Sequence, residues 1–309
     1  MSSNQKNSRR ALLVINPKSR NGAEADIDSG IERLRADGIE VEILHSGGPQ
    51  ETEDAIRQRQ KALDFVIVGG GDGTISSTAR VLKECQLPLA ILPLGTANDL
   101  ARSLGIEELD QAFDVIIENH RQPIDLGVVN GHYFFNVANM GLGVKVTEAQ
   151  DSEIKKRWGV LSYLRAFFVA LRRAQKFRVK LALDDERYRM GSIQLAVGNG
   201  RYYGGGNLVA EEARINDGRL DLYCLRPRGL MELLGMALLV RGGKHHLAKR
   251  IFNASAQRIE VETKPRLEIH ADGEPVTNTP ATFSVIPKAL EVLVPRNSEE
   301  LLNERERGQ

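Results

Sequence analysis

Residues 66–74 read Val-Ile-Val-Gly-Gly-Gly-Asp-Gly-Thr, and this stretch restricts the fold more tightly than any other in the chain. A β-branched apolar run that stops at three glycines ends a buried strand in a turn free of Cβ atoms. Ile75, Ala79 and Leu82 follow near helical spacing, so a helix is expected from Ile75 to Cys85. A strand entering a helix through such a turn points unpaired N–H groups and the positive end of the helix dipole at one place. That place suits phosphate. Glycine is needed because a side chain would hold the phosphate off the backbone and because tight turns often require positive φ. The stretch is not a Walker loop, since no G-x-x-x-x-G-K-[S/T] occurs, and G-x-G-x-x-G fits it poorly. Asp72 is the odd member. A carboxylate beside bound phosphate is repelled unless a cation or a proton transfer involves it, and the plainer reading is an acidic N-cap ahead of Thr74.

The flanking sequence supplies two more turns of the same kind. Ala11–Ile15 is a short apolar run followed by Asn16-Pro17-Lys18-Ser19, then a helix expected from about Glu24 to Asp37. Ile39–Leu44 alternates apolar and charged residues like a half-exposed strand, and a helix is expected near Thr52–Ala62. Leu89–Leu92 is the next strand, ending in Pro93-Leu94-Gly95-Thr96-Ala97-Asn98-Asp99. Asn98-Asp99 reads most simply as a helix N-cap pair. Strands alternating with helices imply an open parallel α/β sheet covered on both faces, with ligands bound beyond the carboxyl ends of its strands. The turns after Ile15, Val68 and Leu92 converge there.

After Glu118 the texture changes. Short strands are expected at Ile124–Asn130, Gly131–Ala138, Arg178–Asp184, Gly191–Gly198, Arg219–Leu225, Arg258–Thr263, Leu267–Ala271 and Thr282–Val294. They indicate an antiparallel β-rich, sandwich-like second domain, interrupted by helical insertions at Ile154–Gln175 and Leu230–Phe252. The expected organisation is therefore α/β plus all-β: a nucleotide-binding unit over 1–122, a β-rich unit over 123–297 and a charged tail over 298–309.

Composition narrows the function classes. A net charge of +1 argues against a broad nucleic-acid surface. Cys85 and Cys224 sit in apolar runs without C-x-x-C spacing, which suits core packing in a reducing compartment rather than a zinc site. Met1–Arg10 has no apolar h-region, and the run around Leu230–Val240 is too short to cross a bilayer. A cytoplasmic protein is expected.

With Gly-Gly-Gly-Asp-Gly-Thr at Gly69–Thr74 and Pro-Leu-Gly-Thr-Ala-Asn-Asp-Leu-Ala at Pro93–Ala101, the chain resembles the diacylglycerol-kinase catalytic-domain family, and most of all its bacterial soluble lipid kinases. The likeness continues through Val14–Ser19, Asn199–Gly206, Ile215–Leu222 and His270–Pro275. NAD kinases share the first motif but not the second. The resemblance implies ATP- and magnesium-dependent phosphorylation of a lipid hydroxyl (diacylglycerol, phosphatidylglycerol or a sphingoid-type acceptor), with the active site in a cleft between the domains. It implies that Gly69, Gly70, Gly71, Asp72, Gly73 and Thr74 cradle phosphate, and that Asn16, Ser46, Thr96 and Asn98 line the nucleotide site. Candidate bases are Asp72, Asp272 and Glu274, the last two preferred; Asp272-Gly273 is also an ordinary hairpin signal. By resemblance again, magnesium would take the Asp217 carboxylate with the carbonyls of Leu220 and Leu222. The rival readings are a kinase of a soluble substrate and a nucleotide-gated lipid-binding protein without turnover. The expected partner is a lipid at the membrane surface, not nucleic acid; homo-oligomer formation stays open. The segment Ile154–Lys176 carries Lys155, Lys156, Arg157, Arg165, Arg172 and Arg173 around an apolar face, which suits either peripheral membrane contact or packing on the sheet.

Overall fold

The computed structural model describes residues 8–17, 27–141, 176–200, 202–203, 207–208, 214–226, 251–296 and 298. The first half runs β1 (Arg9–Ile15), α1 (Asp28–Ala36), β2 (Ile39–His45), α2 (Pro49–Arg59), β3 (Phe65–Gly70), α3 (Asp72–Cys85), β4 (Leu89–Pro93), α4 (Asp99–Ser103) and α5 (Leu109–Glu118). Strands β2-β1-β3-β4 pair in parallel in that order. Every residue of β3 and β4 is buried, as continuous apolar strands covered on both faces require. Helix α3 adds Ile75, Ala79, Val81 and Leu82 to the core, and α5 adds Phe113, Val115 and Ile116. Because β1 lies between β2 and β3, strand order reverses at β1, and the crevice at that reversal is where open α/β sheets bind ligands.

The second half runs β5 (Arg121–Val129), β6 (His132–Phe134), β7 (Val137–Gly141), β8 (Phe177–Leu183), β9 (Glu186–Ser192), β10 (Gln194–Gly198), β11 (Tyr202–Tyr203), β12 (Asn207–Leu208), β13 (Leu220–Leu225), β14 (Ile251–Ala256), β15 (Arg258–Lys264), β16 (Glu268–Ala271), β17 (Glu274–Asn278) and β18 (Ala281–Leu293). Six of these form an antiparallel sheet in the order β14-β13-β10-β7-β16-β17. Strands β11 and β12 pair only with each other, and the remaining six extend the first sheet. Strand β18 pairs β5 and β15 antiparallel and meets β4 in parallel at Val292 and Leu89, and beyond it the order is β15-β8-β9. Strict in–out alternation along β8 and β15 turns Val179, Leu181, Ile259 and Val261 toward Leu195, Leu222 and Ile269 of the six-stranded sheet. One hydrophobic core thus serves the parallel strands and their helices, and a second fills the space between the two sheets.

Several expectations change. Helix α2 begins at Pro49, whose fixed φ suits a first helical turn, rather than at Thr52. The strand expected over Gly131–Ala138 is two strands, β6 and β7, separated by Phe135 and Asn136. Strands β9, β11, β12, β14 and β17 are additional, and Phe252 lies in β14 rather than at the end of a helix. The helical insertion Ile154–Gln175, most of Leu230–Phe252 and nearly all of the tail fall outside the described residues. Cys224 is buried and Cys85 partly so, both as free thiols. Among the described residues, no helix is long and apolar enough to cross a membrane.

Candidate active site

The turns after β3 and β4 are built against each other. A Cβ placed on Gly95 would lie 2.4 Å from the Cα of Gly71 and 2.6 Å from Asn98 Oδ1. Only a pair of glycines permits that approach. Asn98 holds the second turn from within: its backbone is left-handed (φ 50°), its Oδ1 accepts the Gly95 N–H at 2.8 Å, and its Nδ2 donates to the carbonyls of Pro93 and Gly95, each at 3.1 Å. Its amide is spent on the turn. The N-cap reading of Asn98 therefore fails, since α4 receives no side-chain cap from it.

The cap for α4 comes from Asp72. Gly71, not Asp72, occupies the N-cap position of α3, and within that helix the Asp72 carboxylate bonds its own N–H. The Asp72 carboxylate also accepts the Leu100 N–H at 3.0 Å, tying the two glycine turns together. The acidic-cap reading is corrected accordingly: the capping is real but crosses to another helix. Burial pushes the Asp72 carboxyl above the usual carboxylate range; the Leu100 N–H opposes this, and the nearby Asp99 carboxylate reinforces it. The first backbone bond of α3 runs from the Ile75 N–H to the Gly71 carbonyl. The N–H groups of Asp72, Gly73 and Thr74 precede it and gain no partner from the helix ladder.

The walls of the crevice follow from the neighbouring strand ends. Asn16, just after β1, donates through Nδ2 to Thr74 Oγ1 at 3.0 Å. Ser46, just after β2, is buried; its hydroxyl bonds the Gly48 carbonyl at 2.8 Å and accepts from Thr52 Oγ1 at 2.7 Å. Together these side chains line a cavity of about 560 Å³ whose walls also include Gly71, Gly73, Thr74, Gly95 and Glu274, a size ordinary for small-ligand sites. Thr96 is exposed on the turn and is not among the lining residues; Asp72, Asn98, and Gly69 and Gly70, buried at the end of β3, are not either. Gly47, Gly48, Pro49, Thr52 and Ser77 line the cavity without having been signalled by any sequence motif.

Glu274 comes from the other sheet. The β16–β17 hairpin turns at Asp272 and Gly273, both at positive φ (47° and 95°), the geometry that Asp-Gly favours. The exposed Glu274 carboxylate stands over Gly73, with Oε1 3.5 Å from where a Cβ on that glycine would be. Asp272, two residues away, is differently engaged. Its carboxylate accepts the Ser76 hydroxyl of α3 and three successive backbone N–H groups, from Phe135 (2.8 Å), Asn136 (2.9 Å) and Val137 (3.1 Å). Burial pushes the Asp272 carboxyl up, while the Ser76 hydroxyl and the three amides act in the opposite direction. Of the three candidate bases, Glu274 faces the cavity, and Asp272 fastens the hairpin to α3.

Two polar residues escaped the sequence reading. Asn136, 3% exposed, donates its backbone N–H to Asp272 and its side-chain Nδ2 to Asp72 Oδ1 at 3.5 Å. Asp125, 1% exposed, accepts the N–H of Gly218 at 2.6 Å and of Lys288 at 2.7 Å. The available signal was a polar side chain inside an apolar run, Ile-Asp-Leu and Phe-Asn-Val, because such groups are buried only with partners. The proposed magnesium ligands lie beside this second carboxylate: Asp217 sits in the turn before β13 and accepts the Arg219 N–H at 3.0 Å, while Leu220 and Leu222 belong to β13 itself. This donor set is all oxygen, as a hard cation prefers.

The diacylglycerol kinase catalytic domain model matches residues 10–129, and the YegS C-terminal NAD kinase beta sandwich-like domain model matches residues 136–294. A protein of Pseudomonas aeruginosa named "Probable lipid kinase YegS-like" is 33% identical over 296 residues, covering 94% of this chain and 95% of that one. The chain belongs to the YegS-like lipid kinases of the diacylglycerol kinase family. A relative of the same name from Pseudomonas putida is 32% identical over 94% of this chain and 97% of its own. A crystal structure of a diacylglycerol kinase from Bacillus anthracis superposes with a TM-score of 0.74 at 26% identity, covering 94% of this chain and 98% of that one. Both halves of the fold are thus those of this family, and the glycine turns and the Asp-Gly-Glu hairpin are contributed one from each half.

Proposed function

We propose that the chain transfers the γ-phosphate of ATP to the hydroxyl of a lipid, with Glu274 as the base. The observation that carries this reading is the placement of an exposed carboxylate, Glu274, in the cavity wall beside the glycine turn, its Oε1 3.5 Å from where a Cβ on Gly73 would be. The N-terminal amides of α3 would hold the phosphates, since phosphoryl transfer needs mainly positioning and charge neutralisation. Asn16, Ser46 and Thr74 would bound the nucleotide. Glu274 would take the proton from the acceptor hydroxyl as its oxygen bonds to the γ-phosphorus and the bond to the β–γ bridging oxygen breaks, releasing ADP. Asp217 with the carbonyls of Leu220 and Leu222 would hold magnesium, which supplies positive charge to the phosphate site or order to its surroundings.

The acceptor would be met at the cytoplasmic membrane surface, with Ile154–Lys176, all but Lys176 outside the described residues, as the proposed contact. The test is incubation with γ-labelled ATP, magnesium and a panel of diacylglycerol, phosphatidylglycerol and sphingoid lipids, with NAD alongside. Label in one lipid class is expected. Label in NAD alone, or nucleotide binding with no transfer to any acceptor, overturns the reading.

A further inference from the structure

Asn136 lies between β6 and β7 and joins the two halves of the candidate site through different atoms. Its main chain serves the hairpin, donating N–H to Asp272, while its carbonyl accepts the N–H groups of Asn199 (2.8 Å) and Gly200 (3.2 Å). Its side chain reaches the other way, Nδ2 to Asp72 Oδ1 at 3.5 Å. Its Oδ1 is buried without a hydrogen-bond partner among the described residues. A reversed amide would set that oxygen against the carboxylate, so an ionised Asp72 selects the observed orientation and a protonated one permits the reverse.

We infer that Asn136 is a positioning residue that fixes Asp72 relative to the hairpin bearing Glu274 and follows the protonation state of Asp72. The inference rests on the kinase reading only for its effect on turnover. The contact itself is a property of the apo protein. Loss of the side chain frees Asp72 on one side while the main-chain bond to Asp272 persists, so the fold and the hairpin are retained in a truncated variant. The groups that act on Asp72 from its surroundings are the Leu100 N–H, the Asp99 carboxylate and N–H on α4, and its own N–H; none changes in the variants.

The test combines a titration with kinetics on the full chain. The Asp72 side-chain carboxyl is followed by carbon NMR in the parent, in Asn136→Ala and in Asn136→Asp, its signal assigned by its absence from Asp72→Asn. Removing a donor to the ionised form should move Asp72 to higher pH in Asn136→Ala, and adding a like charge should move it further, by about one pH unit or more, in Asn136→Asp. With the lipid that accepts phosphate, Asn136→Ala should lose about 10- to 100-fold in kcat, as small misplacements in a reacting frame do, while the KM for ATP stays within about twofold. An Asp72 titration in Asn136→Ala identical to the parent's overturns the inference, whether or not Asn136→Asp folds. So does a loss confined to KM. A shifted titration in a protein that phosphorylates no lipid would leave the coupling standing and remove the kinase reading instead.

Discussion

Replacing Gly95 with alanine tests the interlock of the two glycine turns. The new methyl carbon would stand 2.4 Å from the Gly71 Cα and 2.6 Å from Asn98 Oδ1. Carbon atoms rest at about 3.5–4.0 Å, so the turns must part by roughly 1 Å or more. Neither neighbour gives way cheaply: one is backbone, and the other is a carboxamide already bonded to Gly95 N–H and to the carbonyls of Pro93 and Gly95. Overpacking of this kind costs roughly 1–3 kcal/mol, and a displacement of about 1 Å in a phosphate-positioning turn costs turnover about 100-fold. Thermal denaturation and calorimetric titration with ATP, run side by side, should show a lower melting temperature and weaker nucleotide binding. Gly191→Ala is the control, because an added Cβ there meets nothing within 4 Å. A Gly95→Ala protein that melts and binds ATP like the parent, under conditions where Gly191→Ala does the same, would refute the close approach.

Glu274→Gln should keep its fold and its ATP affinity, the residue being exposed, and lose about 100-fold or more in kcat; near-parent turnover in a lipid assay would move the base elsewhere. Asp72→Asn, which disturbs the tie between the two glycine turns, should lose turnover roughly 10- to 100-fold through misplacement, yet melt higher than the parent. Its carboxyl pKa is raised in the folded state, so between the unfolded and folded values stability falls as pH rises, and the amide variant escapes that cost; a stability gain that fails to vanish on acidification through this window would contradict the assignment. Asp272→Ala should behave oppositely and be destabilised by about 1–3 kcal/mol or more, because it strands buried donors at Phe135, Asn136 and Val137. Denaturant unfolding would expose the error if that variant were as stable as the parent.

The parts of the site legible in the sequence are those whose chemistry is local. Gly71, Gly95 and Thr74 act through what their own backbone permits, so residue type and order suffice to reveal the cradle. Asp72 was recognisable as anomalous, but its partner Leu100 is 28 positions away and nothing nearby names it. Asn136 is harder still, for its partners Asp72 and Asp272 are distant in opposite directions along the chain. Three of the missed strands share a physical cause. Strands β9, β14 and β17 all lie at sheet edges, where one side has no strand to satisfy and little apolar surface is buried. Glu-Arg-Tyr-Arg-Met-Gly-Ser and Glu-Pro-Val-Thr-Asn therefore carry too little apolar alternation to announce themselves.

The path of β18 has a consequence for how the molecule is made. Its last residues, Leu290, Val292 and Leu293, complete the core of the parallel strands and close the flank of β4. On a ribosome that flank and the apolar surface beneath it remain open until about 200 further residues have been synthesised, from Leu89 to Leu293. The glycine turns therefore emerge early but ride on an unfinished layer, and the closing strand arrives only after the residues of the Asp-Gly-Glu hairpin have emerged. A nascent chain halted before residue 281 would expose the edge of β4 to other chains, so premature termination yields an aggregation-prone fragment rather than a free nucleotide-binding half.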